Sequence, residues 1–145
     1  MKLVLFCCLI ALVSSQCDSD CWKEIREYRK KCMQLLEFSD DEKKILANWE
    51  YPNNEPRRDI YVGQIWCVGN FTGLWSDWDG WNVPRMEKLL EGKGDSQKIH
   101  DLLTGCADKN PQRSHSDKWA WRTWTCMVKT DLRQMIENDF KLRDE

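Results

Sequence analysis

Apolar residues recur along this 145-residue chain at helical spacing. Cys21, Ile25, Tyr28, Cys32 and Leu35 or Leu36 fall three or four positions apart, one stripe of a first helix, with Lys23, Arg26, Arg29 and Lys30 mostly on the other side. Ser39 followed by Glu42 is a capping box. It opens a second helix through Ile45, Leu46 and Trp49, which Pro52 and Pro56 end in a loop. A third helix is expected from Arg57 or Asp59 to about Trp75. Ile60, Gln64, Cys67, Phe71 and Leu74 share a face there, Tyr61, Ile65 and Val68 widen it, and Gly63, Trp66 and Asn70 flank it. Ser76 to Gly80 reads as a turn with Asp-Gly as its strongest marker. Pro84 opens a short fourth helix holding Met86, Leu89 and Leu90, closed by Gly92 and Gly94. Asp95 or Ser96 caps a fifth, carrying Ile99, Leu102, Leu103 and Cys106, before Asn110-Pro111. Ser114 or Ser116 starts the last helix, where Trp121, Trp124, Val128, Leu132 and Met135 line one face while Trp119 and Cys126 point nearly the opposite way. A helix apolar on both sides is wedged inside a fold. No convincing alternating strand is present. The expectation is an all-α, compact bundle of about six short helices.

The N-terminus changes the count of what folds. Lys2 precedes an unbroken apolar run from Leu3 to Val13, followed by the small residues Ser14 and Ser15. That order is a secretory signal peptide, expected over residues 1–15, and the run is too short to cross a bilayer as a mature helix. A single domain from residue 16 to 145 remains, with cleavage before Gln16 or Cys17. Losing Lys2 from 22 basic residues against 24 acidic ones gives a mature net charge of −3. That mild acidity offers no footprint for nucleic acid and none for anionic lipid. No later stretch is apolar enough for membrane insertion. The expected product is secreted, extracellular and monomeric.

Of eight cysteines, Cys7 and Cys8 leave with the signal. The remaining six, Cys17, Cys21, Cys32, Cys67, Cys106 and Cys126, read as three disulfides with fifteen possible pairings. Zinc is a poor alternative, because no CxxC occurs and His100 and His115 lie at no finger spacing. No metal and no cofactor are expected.

With the cysteines on helices, a family likeness emerges. Tyr28 to Cys32, Trp49, Pro52 and Pro56, Tyr61 to Val68, and Gly73-Leu74-Trp75 resemble the "D-seven" salivary proteins of blood-feeding flies, part of the insect odorant-binding protein superfamily. Cys106, Trp119 and Cys126-Met127-Val128 resemble that superfamily's closing helix pair. The resemblance implies the pairings Cys32–Cys67 and Cys106–Cys126, and leaves Cys17 and Cys21 to each other. Regular helix geometry does not suit a bridge at i, i+4, so either Cys17 lies in an unwound segment or one of the two reaches another part of the chain with a reshuffled partner. The chain departs from the family where Gly63 and Asp117 stand at the two ends of a third family bridge.

Catalytic chemistry has little to stand on. There is no GxSxG, HExxH, P-loop or GxGxxG, and Asp40-Asp41-Glu42 is explained as helix-start charge. No enzyme activity is expected. Asn70-Phe71-Thr72 is an N-glycosylation sequon. Nine tryptophans are enough to fill a core or to line a small-molecule pocket. By resemblance, Trp49, Tyr61 and Trp66 fall where a lipid pocket is shaped, and Asp117, Trp119 and Asp131 are nearest to an amine pocket. Trp75, Trp78 and Trp81 would cover a cavity mouth or form a contact patch.

Two functions follow as expectations. One is a secreted scavenger of host mediators, taking a small hydrophobic or amine ligand during blood feeding. The other is an effector that binds a host protein, its ancestral pocket filled by aromatics. The superfamily also includes olfactory carriers.

Overall fold

The computed structural model describes residues 21–48 and 58–140. The expected signal peptide, Cys7, Cys8, Cys17, Trp49, Pro52, Pro56 and Arg57 lie outside them. The described residues form seven helices and one small hairpin: α1 (Cys21–Leu35), α2 (Asp40–Asn48), α3 (Arg58–Thr72), β1 (Trp75–Ser76), β2 (Gly80–Trp81), α4 (Val83–Leu89), α5 (Ser96–Cys106), α6 (Ser116–Val128) and α7 (Leu132–Phe140). The all-α class holds, and among these residues no helix is long and apolar enough to cross a membrane.

Side chains set most helix starts. The Ser39 amide donates to Glu42 Oε2 at 2.7 Å and the Glu42 amide to Ser39 Oγ at 3.3 Å, the reciprocal capping box. Asn82 Oδ1 accepts from the Arg85 amide ahead of α4, and Asp95 Oδ1 from the Lys98 amide ahead of α5. Each pair satisfies a helix N–H that has no partner inside its own helix.

Disulfides join Cys32 to Cys67 and Cys106 to Cys126, with Cα atoms 6.0 and 5.5 Å apart. The first ties α1 to α3 and the second α5 to α6. Cys21 is also disulfide-bonded; the Cys17–Cys21 pairing reaches outside the described residues. A Cβ placed on Gly63 finds only Leu36 and Phe38 among the described residues within 4 Å. Asp117 is therefore not held against Gly63 at the short Cβ spacing typical of a bridge. Apolar packing from the α1–α2 turn covers the Gly63 end instead.

α6 runs through the middle. Trp119, Ala120, Trp121, Thr123, Trp124, Met127 and Val128 are all buried, so it presents apolar surface on both sides. α3 and α5 pack on it, and α7 folds back beneath it.

Four expectations are corrected. The last helix is two: Thr130 Oγ1 donates to the Met127 carbonyl and accepts from the Leu132 amide at 3.2 Å, ending α6 and starting α7. Within α7, Leu132 and Ile136 carry the buried face while Met135 is only half-buried. The turn expected at residues 76–80 is present, but against the expectation of no strand it joins a two-stranded antiparallel ladder pairing Trp75 with Trp81. Gly80 permits it twice over, with φ of +80° and a Trp119 ring carbon 2.8 Å from where a Cβ would stand. In α1 the buried set is Trp22, Ile25, Arg29, Cys32 and Met33, one position round from the expected stripe. Arg29, placed on the polar side by pattern, is fully buried. Its Nη2 donates to the Leu46 carbonyl in the last turn of α2, and Gln64 Nε2 donates to the Arg29 carbonyl at 3.1 Å. A cation there satisfies a helix-end carbonyl and meets the negative end of the helix dipole. Burial pushes the guanidinium down to about 9, which leaves it charged at neutral pH. Finally, Phe71 is half exposed, stacked on Tyr28 with ring centres 5.4 Å apart.

Candidate functional site

An apolar cavity lies where α1, α3, α4, α6 and α7 converge under the hairpin. Trp22 and Ile25 come from α1, Ile65, Val68 and Gly69 from α3, and Met86 and Leu89 from α4. Leu74, Trp81 of β2, Trp124 of α6 and Ile136 of α7 complete the wall. The cavity measures about 20 Å³, within about 350 Å³ of atom-free space that runs out toward solvent. About 10–15 Å³ holds one water. A ligand of several heavy atoms therefore enters only if walls give way. Met86 is the natural candidate, an unbranched side chain that repacks at low cost.

Trp81 and Trp124 of the wall belong to a packed aromatic stack that extends behind it. Trp75 meets Trp119 edge-on at 4.8 Å and Trp81 edge-on at 5.6 Å, and Trp81 meets Trp124 at 5.9 Å. Trp81 Nε1 donates to the Ala120 carbonyl at 3.3 Å. Trp22 differs. It is 9% exposed, and its indole N–H is buried with no acceptor among the described residues. The Lys93 ammonium stands 5.1 Å from its ring centre and pairs with Asp139 of α7.

Asp77 locks the hairpin over this wall. It accepts from Trp75 Nε1 at 2.8 Å and Trp66 Nε1 at 3.0 Å. Burial opposes its ionisation, but the hydrogen bonds from Trp75, Trp66, Ser116 and Asn70 together hold the carboxyl below its usual range.

The residues that sequence put forward are scattered. Tyr61 is buried, tilted against Trp121 at 6.3 Å. Trp66 serves Asp77. Asp117 sits in the first turn of α6, and Trp119 donates to the Asp108 carbonyl at 3.2 Å. Asp131 is exposed in the α6–α7 break, ion-paired with Lys98 at 2.5 Å. None of these five lines the cavity, and Trp49 lies outside the described residues. Asp117, Trp119 and Asp131 do not assemble an acidic aromatic box. At the sequon, Asn70 Nδ2 donates to the Trp66 carbonyl and the buried Thr72 hydroxyl to that of Val68. Trp75 and Trp81 are core, while Trp78 at the hairpin tip is 91% exposed.

Sequence reasoning missed Trp22, Gly69 and Ile136 as wall residues, whereas it placed Trp81 at a cavity mouth. The burial of Trp22 followed from an α1 stripe one position round. Gly69 gave no mark beyond being a glycine inside a helix.

Residues 14–130 match the model of the PBP/GOBP family. The chain belongs to that family. It is also 31% identical to General odorant-binding protein 99a of Drosophila melanogaster over 134 residues, 91% of this chain and 92% of the relative. Membership in the PBP/GOBP family bears out the odorant-binding superfamily drawn from the cysteine spacing and tryptophans. It also gives the apolar cavity its context, since the walls belong to helices that lie almost wholly inside the matched span. Ile136 of α7 stands beyond it.

Proposed function

We propose that this chain is a secreted carrier of small hydrophobic molecules, binding them stoichiometrically and without chemistry in the cavity between α1, α3, α4, α6 and α7. The observation that carries this is a void with an all-apolar wall in a PBP/GOBP family member. The name of the fly relative, an odorant-binding protein, points the same way. Within this reading, an apolar or eicosanoid-like cargo is better supported than a biogenic amine. The acidic residues an amine would need are apart, and Asp131 is already paired with Lys98. The D-seven resemblance supports a salivary setting, in which the protein lowers the free concentration of a host mediator.

The test is displacement of an apolar naphthylamine fluorophore, run with a fatty acid, a leukotriene, serotonin and histamine. The apolar ligands compete and the amines do not. Val68→Phe, which fills the cavity, abolishes fluorophore binding while leaving the helical circular dichroism intact. Silence of the wild type to every apolar ligand refutes the proposal. An effector that binds a host protein is the second reading, favoured by Trp78, whose ring stands exposed at the hairpin tip.

A further inference from the structure

The cavity's polarity is uneven. Its wall is hydrocarbon and aromatic carbon at Ile25, Ile65, Val68 and Leu89, but Trp22 adds a buried indole N–H that no acceptor among the described residues meets. Native interiors rarely leave such a donor unused, and an unexplained one is a pointer to a missing partner. An indole nitrogen donates only; it has no lone pair to accept with. Among the wall side chains only the Met86 thioether can accept, and weakly; the indole of Trp81 is committed to the Ala120 carbonyl, and Trp124 brings a second buried indole N–H to the same wall.

From this we infer, building on the carrier reading above, that the cargo is an apolar molecule with a carbonyl-type acceptor — a ketone, aldehyde or ester — bound through the Trp22 N–H. A hydrocarbon leaves the donor unmet. An alcohol meets it through its oxygen but buries its own hydroxyl hydrogen against apolar wall, at a cost comparable to a lost hydrogen bond. Of these three classes, only the carbonyl compound leaves neither side unpaired.

Acetophenone, α-methylstyrene and 1-phenylethanol, of nearly one shape, present a carbonyl, a carbon–carbon double bond and a hydroxyl at one position. Their dissociation constants are measured for the wild type and for Trp22→Phe, which keeps an aromatic ring and removes the N–H. The affinity ratio of ketone to hydrocarbon falls about five-fold in Trp22→Phe, the worth of one neutral hydrogen bond. Taking the ratio cancels the extra space that the smaller ring leaves. In ¹⁵N-labelled wild type, the Trp22 indole proton moves downfield with acetophenone and less with α-methylstyrene. If Trp22→Phe fails to fold, that shift decides alone. An unchanged ratio, or an indole proton that responds alike to both ligands, overturns the acceptor assignment and leaves the carrier reading standing. Failure of the wild type to bind any of the three, or any other apolar ligand, removes both.

Discussion

Two glycines of α3 make a paired test of how the hairpin is seated over the cavity. Alanine exceeds glycine in helix propensity by about 1 kcal/mol, so either substitution gains that much if the methyl group has room. At Gly63 it does. The nearest atoms to a new Cβ are Leu36 Cδ1 at 3.4 Å and Phe38 Cζ at 3.8 Å, both the ends of side chains. At Gly69 a new Cβ would stand 2.6 Å from the Trp75 Cβ. That atom is fixed to the backbone and cannot swing aside. Trp75 is further held by Asp77 and by its edge-on contacts with Trp81 and Trp119. The hairpin must shift by about 1 Å, and overpacking of this kind costs about 1–3 kcal/mol. Gly63→Ala is therefore expected to stabilise by about 0.5–1 kcal/mol and Gly69→Ala to destabilise by about 1 kcal/mol net. For a chain of this size, where 1 kcal/mol moves the midpoint by about 2–4 °C, the two variants separate by about 4–8 °C in thermal unfolding followed by circular dichroism. Urea midpoints give the same order. Gly69→Ala also weakens cargo binding, since it moves Trp75 and, through it, Trp81 at the cavity wall, and Gly63→Ala does not. Equal stabilisation by both substitutions would refute the close seating of β1 on α3.

Two further outcomes follow from the loop between α5 and α6 and from the disulfides. Asp108 accepts from Arg122 Nε and Nη2 at 2.8 and 2.9 Å and from the Asn110 amide at 2.8 Å, and the Arg122 hydrogen bond does most to lower its carboxyl below the ordinary range, against a smaller opposing effect of burial. A depressed folded-state value contributes stability that is whole above the unfolded value of about 4 and is lost as pH falls through the folded one. Arg122→Met should flatten that acid loss. It should cost about 1 kcal/mol at neutral pH, a modest figure because both side chains are about one-third exposed to screening solvent; urea titrations from pH 7 to 2 check it, and an unchanged acid slope counts against the clamp. Replacing both members of a disulfide by alanine should cost about 3.8 kcal/mol for Cys32–Cys67 and about 3.3 kcal/mol for Cys106–Cys126, from loops of 35 and 20 residues at room temperature. A loss below about 1 kcal/mol in either variant, by urea midpoint, would contradict the staple role.

Much of the architecture is local and so is written in the sequence. Ser39 with Glu42, Asn82 before Pro84, and Asp95 before α5 start helices through bonds spanning three residues, and such bonds need no tertiary partner. The 3.6-residue period placed every helix up to α6 within a few residues and put α6 inside the fold. Cysteine spacing and a few aromatics were enough for the superfamily. What the sequence alone did not determine depends on contacts between distant segments. Arg29 reads as surface in any periodicity, and the carbonyl of Leu46, seventeen residues on, helps make its burial tolerable. Thr130 splits a continuous apolar pattern because its hydroxyl is better used on Met127 and Leu132 than in a helix. The site followed the same rule. Tyr61, Trp66, Asp117, Trp119 and Asp131 are the right residue types for a pocket, but a cavity is the space left where five helices fail to meet. Which side chains border it, Trp22 and its unmet N–H among them, was decided by the packing angles of those helices, and no single segment encodes them.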